Sequence, residues 1–400
     1  DDAIKTMVVE GYVEKAPEVE SATTCYVPHR PVFRDVSSTT KTRMVLDSSI
    51  TAKHEGLALN ECLQQGPNFL PDLFGVMLRF RLGRFALTGD FEKAFLQIRV
   101  HESDRDVLRF LWGDSVFRMT SVPFGLTCSP SILQIVLRHH LQNCNGDAGV
   151  IDLILRSLYV DDVIVSVFEE NVAVKIWDEA VRIMALAKIN LRKLRTNCPA
   201  LLRRGVHEVE RVQKVAGIMC NFDEDVIMPA SSLSELVMPN VITKRVLASM
   251  LARVYDPHGL ICPLLSGLKM LPQDAWLQCK SWDECLACYE FQDDGSSGFQ
   301  VLKELRDIVS NSRNIKVPRW VTFSGTSNAE LHIFCDASKR LYAACAYLRV
   351  LGGERLSSNL VAAKSRLVTP KLLEINFGPK FELLACFLAV KLGKSILEAV

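Results

Sequence analysis

Apolar positions run from Phe85 to Leu87 and give way to Thr88-Gly89-Asp90, so a strand-like segment ends in a carboxylate. Farther on, Ile151–Leu158 is apolar except for Asp152 and Arg156, and Val163–Val167 is a β-branched run broken by Ser166. Tyr159-Val160-Asp161-Asp162 lies between them, and the pattern predicts a β-hairpin with carboxylates in its turn. Helical spacing fills Leu126–Leu141 and Asn171–Ile189, and Phe91–Leu96 reads as the start of another helix directly after Asp90. Hairpin-linked strands with helices between them predict a small antiparallel sheet backed by helices, an α+β arrangement.

The second half changes character. Thr243–Arg253 has apolar faces at helical spacing and runs towards a Pro/Gly stop, Tyr255-Asp256-Pro257-His258-Gly259-Leu260. His258 reads as a turn or surface residue rather than a ligand. Asp293–Gly298 is a loop on composition. Glu330–Asp336 alternates as a strand that ends in Asp, and Tyr342–Leu348 is another strand-like run.

With 400 residues the chain is long enough for two or three domains, and its 48% hydrophobic content is that of a globular protein. A net charge of +1 does not exclude a nucleic-acid partner, because only a groove need be positive. Local basic clusters exist at Arg79, Arg81 and Arg84, at Arg192, Lys193 and Arg195, and at Arg203 and Arg204. Each is open to the alternative reading of a solvated face. The 13 cysteines have no repeating spacing, and Cys285-x-x-Cys288 lacks a second pair, which suits a reducing compartment better than a zinc or disulfide scaffold. There is no signal peptide and no apolar stretch of membrane-spanning length. The chain starts at Asp1 and ends on Ala385–Val390 followed by Lys391–Val400, which reads as a piece of a longer polyprotein.

Asp90 at a strand end and Asp161-Asp162 at a hairpin tip form the one constellation with chemistry in it. Hard oxygen ligands of this kind can hold two divalent cations about 3.5–4 Å apart, the arrangement of two-metal phosphoryl transfer. Taken singly, Asp90 also fits a helix N-cap and the Asp pair an Asx turn.

On these residues the chain resembles a reverse transcriptase, and more narrowly the polymerase of BEL/Pao-type LTR retrotransposons. Thr42–Ser49 is similar to the family's fingers segment, Leu87–Ile98 to its first catalytic motif, Ser121–Pro130 to the template- and nucleotide-facing motif, and Tyr159–Asp162 to the catalytic hairpin. Leu191-Arg192-Lys193 and Val212–Cys220 fall where the family has its lysine motif and primer grip. The resemblance implies a right-hand polymerase with fingers and palm over 1–222, a helical thumb or connection region over 229–320, and an RNase H-like domain over 328–400.

The resemblance also assigns roles. Asp90, Asp161 and Asp162, with the carbonyl of Phe91, would ligate two Mg²⁺ ions, with Mn²⁺ as a substitute. Arg43 would grip the incoming triphosphate, and Phe95 would lie under the sugar and reject a 2′-hydroxyl, with a core Phe as the alternative reading. Phe124 and Gly125 would line the nucleotide pocket, and Lys193 would give a proton to pyrophosphate or contact a phosphate. Val215–Met219 would hold the primer end, unless it is an ordinary buried strand. Asp336 and Glu382 match the first two RNase H acids, the second presented by a helix at Phe381–Ala385. The later acids are not in the sequence and Lys371–Lys380 departs from the family pattern, so RNase H activity is expected to be absent. Implied partners are an RNA template, a DNA primer–template, dNTPs, a tRNA primer, and the protease and integrase of the same polyprotein, with DNA integration as the product's fate. Implied location is cytoplasmic, in virus-like particles, with no membrane. Two other readings stay open: an inactive or domesticated fragment that binds nucleic acid without synthesis, and an RNA-binding or structural module.

Overall fold

The computed structural model describes residues 1–33, 42–51, 56–205, 210–229, 241, 243–278, 281–285, 307, 315–321, 328–352, 355–369 and 378–400. In chain order its elements are α1 (Asp2–Val9), β1 (Val13–Lys15), β2 (His29–Phe33), β3 (Thr42–Leu46), α2 (Leu59–Cys62), α3 (Leu73–Leu82) and β4 (Phe85–Phe91). Next come β5 (Arg109–Trp112), β6 (Ser115–Met119), α4 (Ser129–Asn143), α5 (Ala148–Ser157), β7 (Leu158–Tyr159), β8 (Asp162–Val167) and α6 (Glu170–Leu186). Then follow β9 (Leu191–Thr196), α7 (Pro199–Arg203), β10 (Val212–Val215), β11 (Ile218–Asn221), β12 (Val226–Met228), α8 (Lys244–Arg253) and α9 (Cys262–Gln278). The last are β13 (Val317–Pro318), β14 (Asn328–Ala337), β15 (Leu341–Gly352), β16 (Arg355–Leu367) and α10 (Gly378–Ala399). The mixture of helices and largely antiparallel sheets is the α+β class expected from the sequence. Among the described residues no helix is long and apolar enough to cross a membrane.

The chain divides into two compact units: Asp1–Pro71 with Gly89–Asp162 and Asp178–Arg192, and Asp72–Thr88 with Val163–Trp177 and Lys193–Val400. Strands β4, β7, β8 and β9 form a four-stranded sheet in the order β7-β8-β4-β9. Strand β4 lies inside that sheet and is buried at every position except Asp90. A strand covered on both faces needs apolar residues at successive positions, and this is why Phe85-Ala86-Leu87 does not alternate.

The first unit holds an apolar core that includes Ile4, Val13, Met44, Leu46, Phe110 and Met119. Beside it is a buried ionic knot. Asp106 accepts from Arg109 Nε and Arg118 Nη1, both at 3.0 Å, and Arg118 Nε donates to Glu14 at 2.7 Å. These bonds join β5, β6 and β1, the strands of one sheet. The two guanidinium groups hold the Asp106 carboxyl down at about 2, against the burial that would raise it.

In the second unit α3, β15, β16 and α10 share a core of Leu78, Ala344, Ala346, Val361, Leu388 and Leu392. Two buried arginines tie its loops. Arg81 donates to the carbonyls of Val361 and Leu360 at 2.9 Å, and Arg319 pairs with Asp225 at 2.6 Å while donating to the carbonyls of Phe80, Gly83 and Arg84.

Four sequence expectations change here. Ile151–Leu158 is not a strand: all but Leu158 lies in α5, where Val150, Ile154 and Ser157 are buried at helical spacing. Asp147 caps that helix by accepting from the backbone of Gly149 and Val150. Asp90-Phe91 still belongs to β4, and the expected helix after it is one short 3₁₀ turn, Ala94–Gln97. Within the Arg79–Arg84 cluster Arg84 is exposed, but Arg81 is not on a solvated face: it is 1% exposed and donates to three backbone carbonyls. His258 does sit in a turn, but it is buried rather than on the surface. Its Nε2 faces the Phe74 carbonyl at 3.2 Å, and burial, with Arg81 and Lys364 adding to it, pushes its pKa down to about 4. The Asp293–Gly298 loop, Cys288 and residues 371–377 lie outside the described residues.

Candidate active site

Asp90 and Asp161 are brought together by backbone pairing. The Phe91 N–H donates to the Asp161 carbonyl at 3.0 Å, and the Glu92 N–H donates to the Asn190 carbonyl at 2.9 Å. The end of β4 is therefore held between the hairpin turn and the start of β9. Val160 stands in that turn with φ 56, a left-handed conformation that costs a β-branched residue roughly 1–2 kcal/mol. Lys93, three residues beyond Asp90, is left-handed as well, with φ 50, and its Nζ pairs with Glu10 at 2.6 Å. Strained backbone on both sides of a pair of acids is a common mark of a functional site.

These acids open onto a cavity of about 540 Å³ in the first unit. Asp90, Phe91, Phe95, Asp161, Arg43 and Phe124 all line it, as do Lys93 and Arg192. Residues of α1, Asp2 and Thr6 among them, and Glu10 at its C-cap complete the wall. Arg43 stands over the Phe124 ring at 5.3 Å, and Phe124 meets Phe95 edge-on with centroids 5.1 Å apart. Guanidinium, ring and ring thus form a stack along one side. Its register is set by Gly125, whose φ of 109 and close approach leave no room for a side chain: a Cβ would lie 1.8 Å from the Leu46 carbonyl oxygen. The Leu46 N–H donates to the Phe124 carbonyl at 3.0 Å, and Asn60 Nδ2 donates to the Gly125 carbonyl at 3.0 Å. The first bond ties β3, which carries Arg43, to the Phe124 loop, and the second ties α2 to it.

The remaining sequence candidates lie elsewhere. Asp162, the first residue of β8, is not among the cavity-lining residues, as expected when successive strand residues face opposite ways. Lys193 in β9 does not line the cavity either. Val215–Met219 spans the β10–β11 hairpin, turned by Ala216 (φ 45) and Gly217 (φ 91). Asp336 lies one residue from the end of β14 and Glu382 on α10, which packs against β14 and β15. Beside them the thiols of Cys335 and Cys386 are 3.9 Å apart.

Among the described residues no group of three or more His, Cys, Asp or Glu side chains gathers in metal-holding geometry. Asp90 and Asp161, beside the Phe91 backbone, are the sequence-predicted donors at the cavity, whose lining also includes the carboxylates of Asp2, Glu10 and Glu92. Such a pair fits Mg²⁺, which takes one or two carboxylates and completes its shell with water and substrate phosphate oxygens. Arg192 and α1 are the parts that sequence reasoning missed. Arg192 adjoins the expected lysine, and nothing in the pattern of α1 marks it as a cavity wall.

A family model described as reverse transcriptase (RNA-dependent DNA polymerase) matches residues 29–199, and one described as Pao retrotransposon-like RNaseH-like domain matches residues 243–400. No curated protein sequence matches the chain. Among solved structures, a foamy viral protease-reverse transcriptase (dRH) in complex with double-stranded DNA is similar, with TM-score 0.65 and 16% identity over 99% of this chain and 60% of that one. The foamy viral protease-reverse transcriptase in complex with an RNA/DNA hybrid gives TM-score 0.59 and 16% identity over 99% and 45%. Its double-stranded DNA complex gives TM-score 0.58 and 17% identity over 99% and 70%. At such identities the likeness speaks for the fold, and this chain spans about 60% of the first of them. A reverse transcriptase domain followed by a Pao retrotransposon-like RNaseH-like domain is an order consistent with the pol proteins of BEL/Pao-type retrotransposons.

Proposed function

We propose that this chain is an RNA-directed DNA polymerase that transfers nucleotides from dNTPs to a primer 3′-hydroxyl by a two-metal mechanism. The observation that carries this reading is that Asp90, Asp161, Arg43, Phe95 and Phe124, far apart in sequence, line one cavity. Asp90 and Asp161, with the Phe91 carbonyl, would hold two Mg²⁺ ions. Bound there, the ions would activate the primer hydroxyl and neutralise charge on the triphosphate. Arg43 offers a planar, permanently charged fork for the triphosphate, and its place over Phe124 keeps that fork aimed. The Phe95 ring closes the side of the pocket where a 2′-hydroxyl would project. Asp162 belongs to the same hairpin as a supporting acid. We assign fingers and palm to 1–222, a thumb-like connection to 229–320 and the RNase H-like part to 328–400. The partners are then an RNA or DNA template, a primer and dNTPs, with a tRNA as first primer.

Primer extension on an RNA template with dNTPs and Mg²⁺ tests the reading. Extension should require the metal and fall by at least about a hundredfold in Asp161→Asn. Salt-sensitive binding of primer–template with no extension by the parent chain would instead favour a domesticated, non-synthesising binder.

A further inference from the structure

Arg192 occupies the place in the cavity that the sequence reading gave to Lys193. Its Nη1 donates to Glu92 Oε1 at 2.6 Å, and its Nε lies 4.0 Å from Asp90 Oδ2. Glu92 is itself fixed, because its Oε2 accepts from Asn190 Nδ2 at 2.8 Å and its backbone donates to the Asn190 carbonyl. The guanidinium is thus anchored at one corner, while its Nε is buried without a hydrogen bond. A guanidinium has five donors in a rigid fork, and one bond to Glu92 leaves most of them unspent. Arg43 and Lys93 are the other basic residues of the lining, and Lys93 is engaged by Glu10.

We propose that Arg192, rather than Lys193, meets the polyphosphate of the incoming nucleotide and stabilises the departing pyrophosphate. This assignment rests on the polymerase reading of the same cavity. In the transfer, the primer 3′-oxygen bonds to the α-phosphorus, the bond from that phosphorus to the bridging oxygen breaks, and pyrophosphate leaves with the electron pair. Arg192 keeps all its protons throughout and acts as a fixed positive charge beside the leaving group. Glu92 orients it, and the edge now 4.0 Å from Asp90 is the edge that faces phosphate oxygens held next to that carboxylate.

The test uses the chain itself, with inorganic tripolyphosphate and Mg²⁺ as a binding probe in calorimetry and single-turnover primer extension alongside. Arg192→Gln should weaken tripolyphosphate binding about tenfold and slow nucleotide addition by on the order of a hundredfold, with primer–template affinity unchanged. Arg192→Lys, which keeps the charge and loses the fork, should recover part of the binding and guards against a folding defect in the Gln variant. A parent that extends primers while folded Arg192→Gln binds tripolyphosphate within twofold of it would overturn the proposal and leave the polymerase reading intact. A larger loss of binding in Lys193→Gln than in Arg192→Gln would return the role to Lys193. Tripolyphosphate binding that depends on Arg192 in a chain that extends no primer would support the phosphate site and refute the polymerase reading.

Discussion

A single ring does two jobs at Phe95. It packs edge-on against Phe124, a contact worth about 0.5–1.5 kcal/mol beyond its buried area, and it lines the cavity. Phe95→Val should therefore raise ribonucleotide incorporation by about tenfold or more with deoxynucleotide use mostly intact, as read by competing rNTP and dNTP in primer extension. Discrimination equal to the parent's would make Phe95 a packing residue only. Asp106 is the contrasting case, a buried acid with no exposure to the cavity lining. Asp106→Asn replaces the carboxylate shared by Arg109 and Arg118 with a neutral amide, leaving Arg118 its pair with Glu14, and should cost about 3–5 kcal/mol in a denaturant titration. Neither buried arginine was legible from sequence, where Arg reads as surface. Only the fold supplies the carboxylate and carbonyls that make burial tolerable. Asp90 and Asp161 were legible because an acid that interrupts an apolar run is itself a signal.

At the scale of elements, the hairpin was read correctly in kind and wrongly in extent. Two residues, Leu158 and Tyr159, pair with β8, and the apolar residues before them belong to a helix. Val150, Ile151, Leu153 and Ile154 satisfy a short strand and a helix equally, and the deciding feature was the Asp147 cap with Asp152 and Arg156 paired one turn apart. Removing that cap tests its weight. Asp147→Ala should lower stability by about 1 kcal/mol in thermal or urea unfolding, with primer extension retained. The 3₁₀ turn after Asp90 was misread for a different reason. Lys93 takes a left-handed φ, which ends the strand without starting a regular helix, and no propensity marks a lysine for that conformation. Strand β14 and the Asp336 position were visible as plain alternation, and the helix at Glu382 through the RNase H-like resemblance.

At the scale of the molecule, His258 and Asp106 are two of the described groups with shifted pKa, and they set different pH windows. His258 is held neutral in the fold, with its pKa at about 4 against an ordinary 6.5. Its contribution to stability is complete above 6.5 and is lost as pH falls from there towards 4. Asp106 is held ionised, at about 2 against an ordinary 3.8, so its contribution is complete above about 4 and disappears between 4 and 2. Urea midpoints measured against pH should fall in two stages. His258→Leu, which puts an aliphatic side chain against Phe74, should flatten the first stage and leave the second. An unchanged slope between 6.5 and 4 in that variant would show that another group titrates there.

The stack of Arg43, Phe124 and Phe95 has an optical consequence. None of the cavity-lining residues is a tryptophan, so the site is silent against the emission of the chain's five tryptophans. An indole placed by Phe124→Trp would lie under the Arg43 guanidinium and become a lamp whose brightness depends on where that cation is. If Arg43 leaves the ring to meet a triphosphate, nucleotide arrival would be seen as a change in fluorescence before any bond is made.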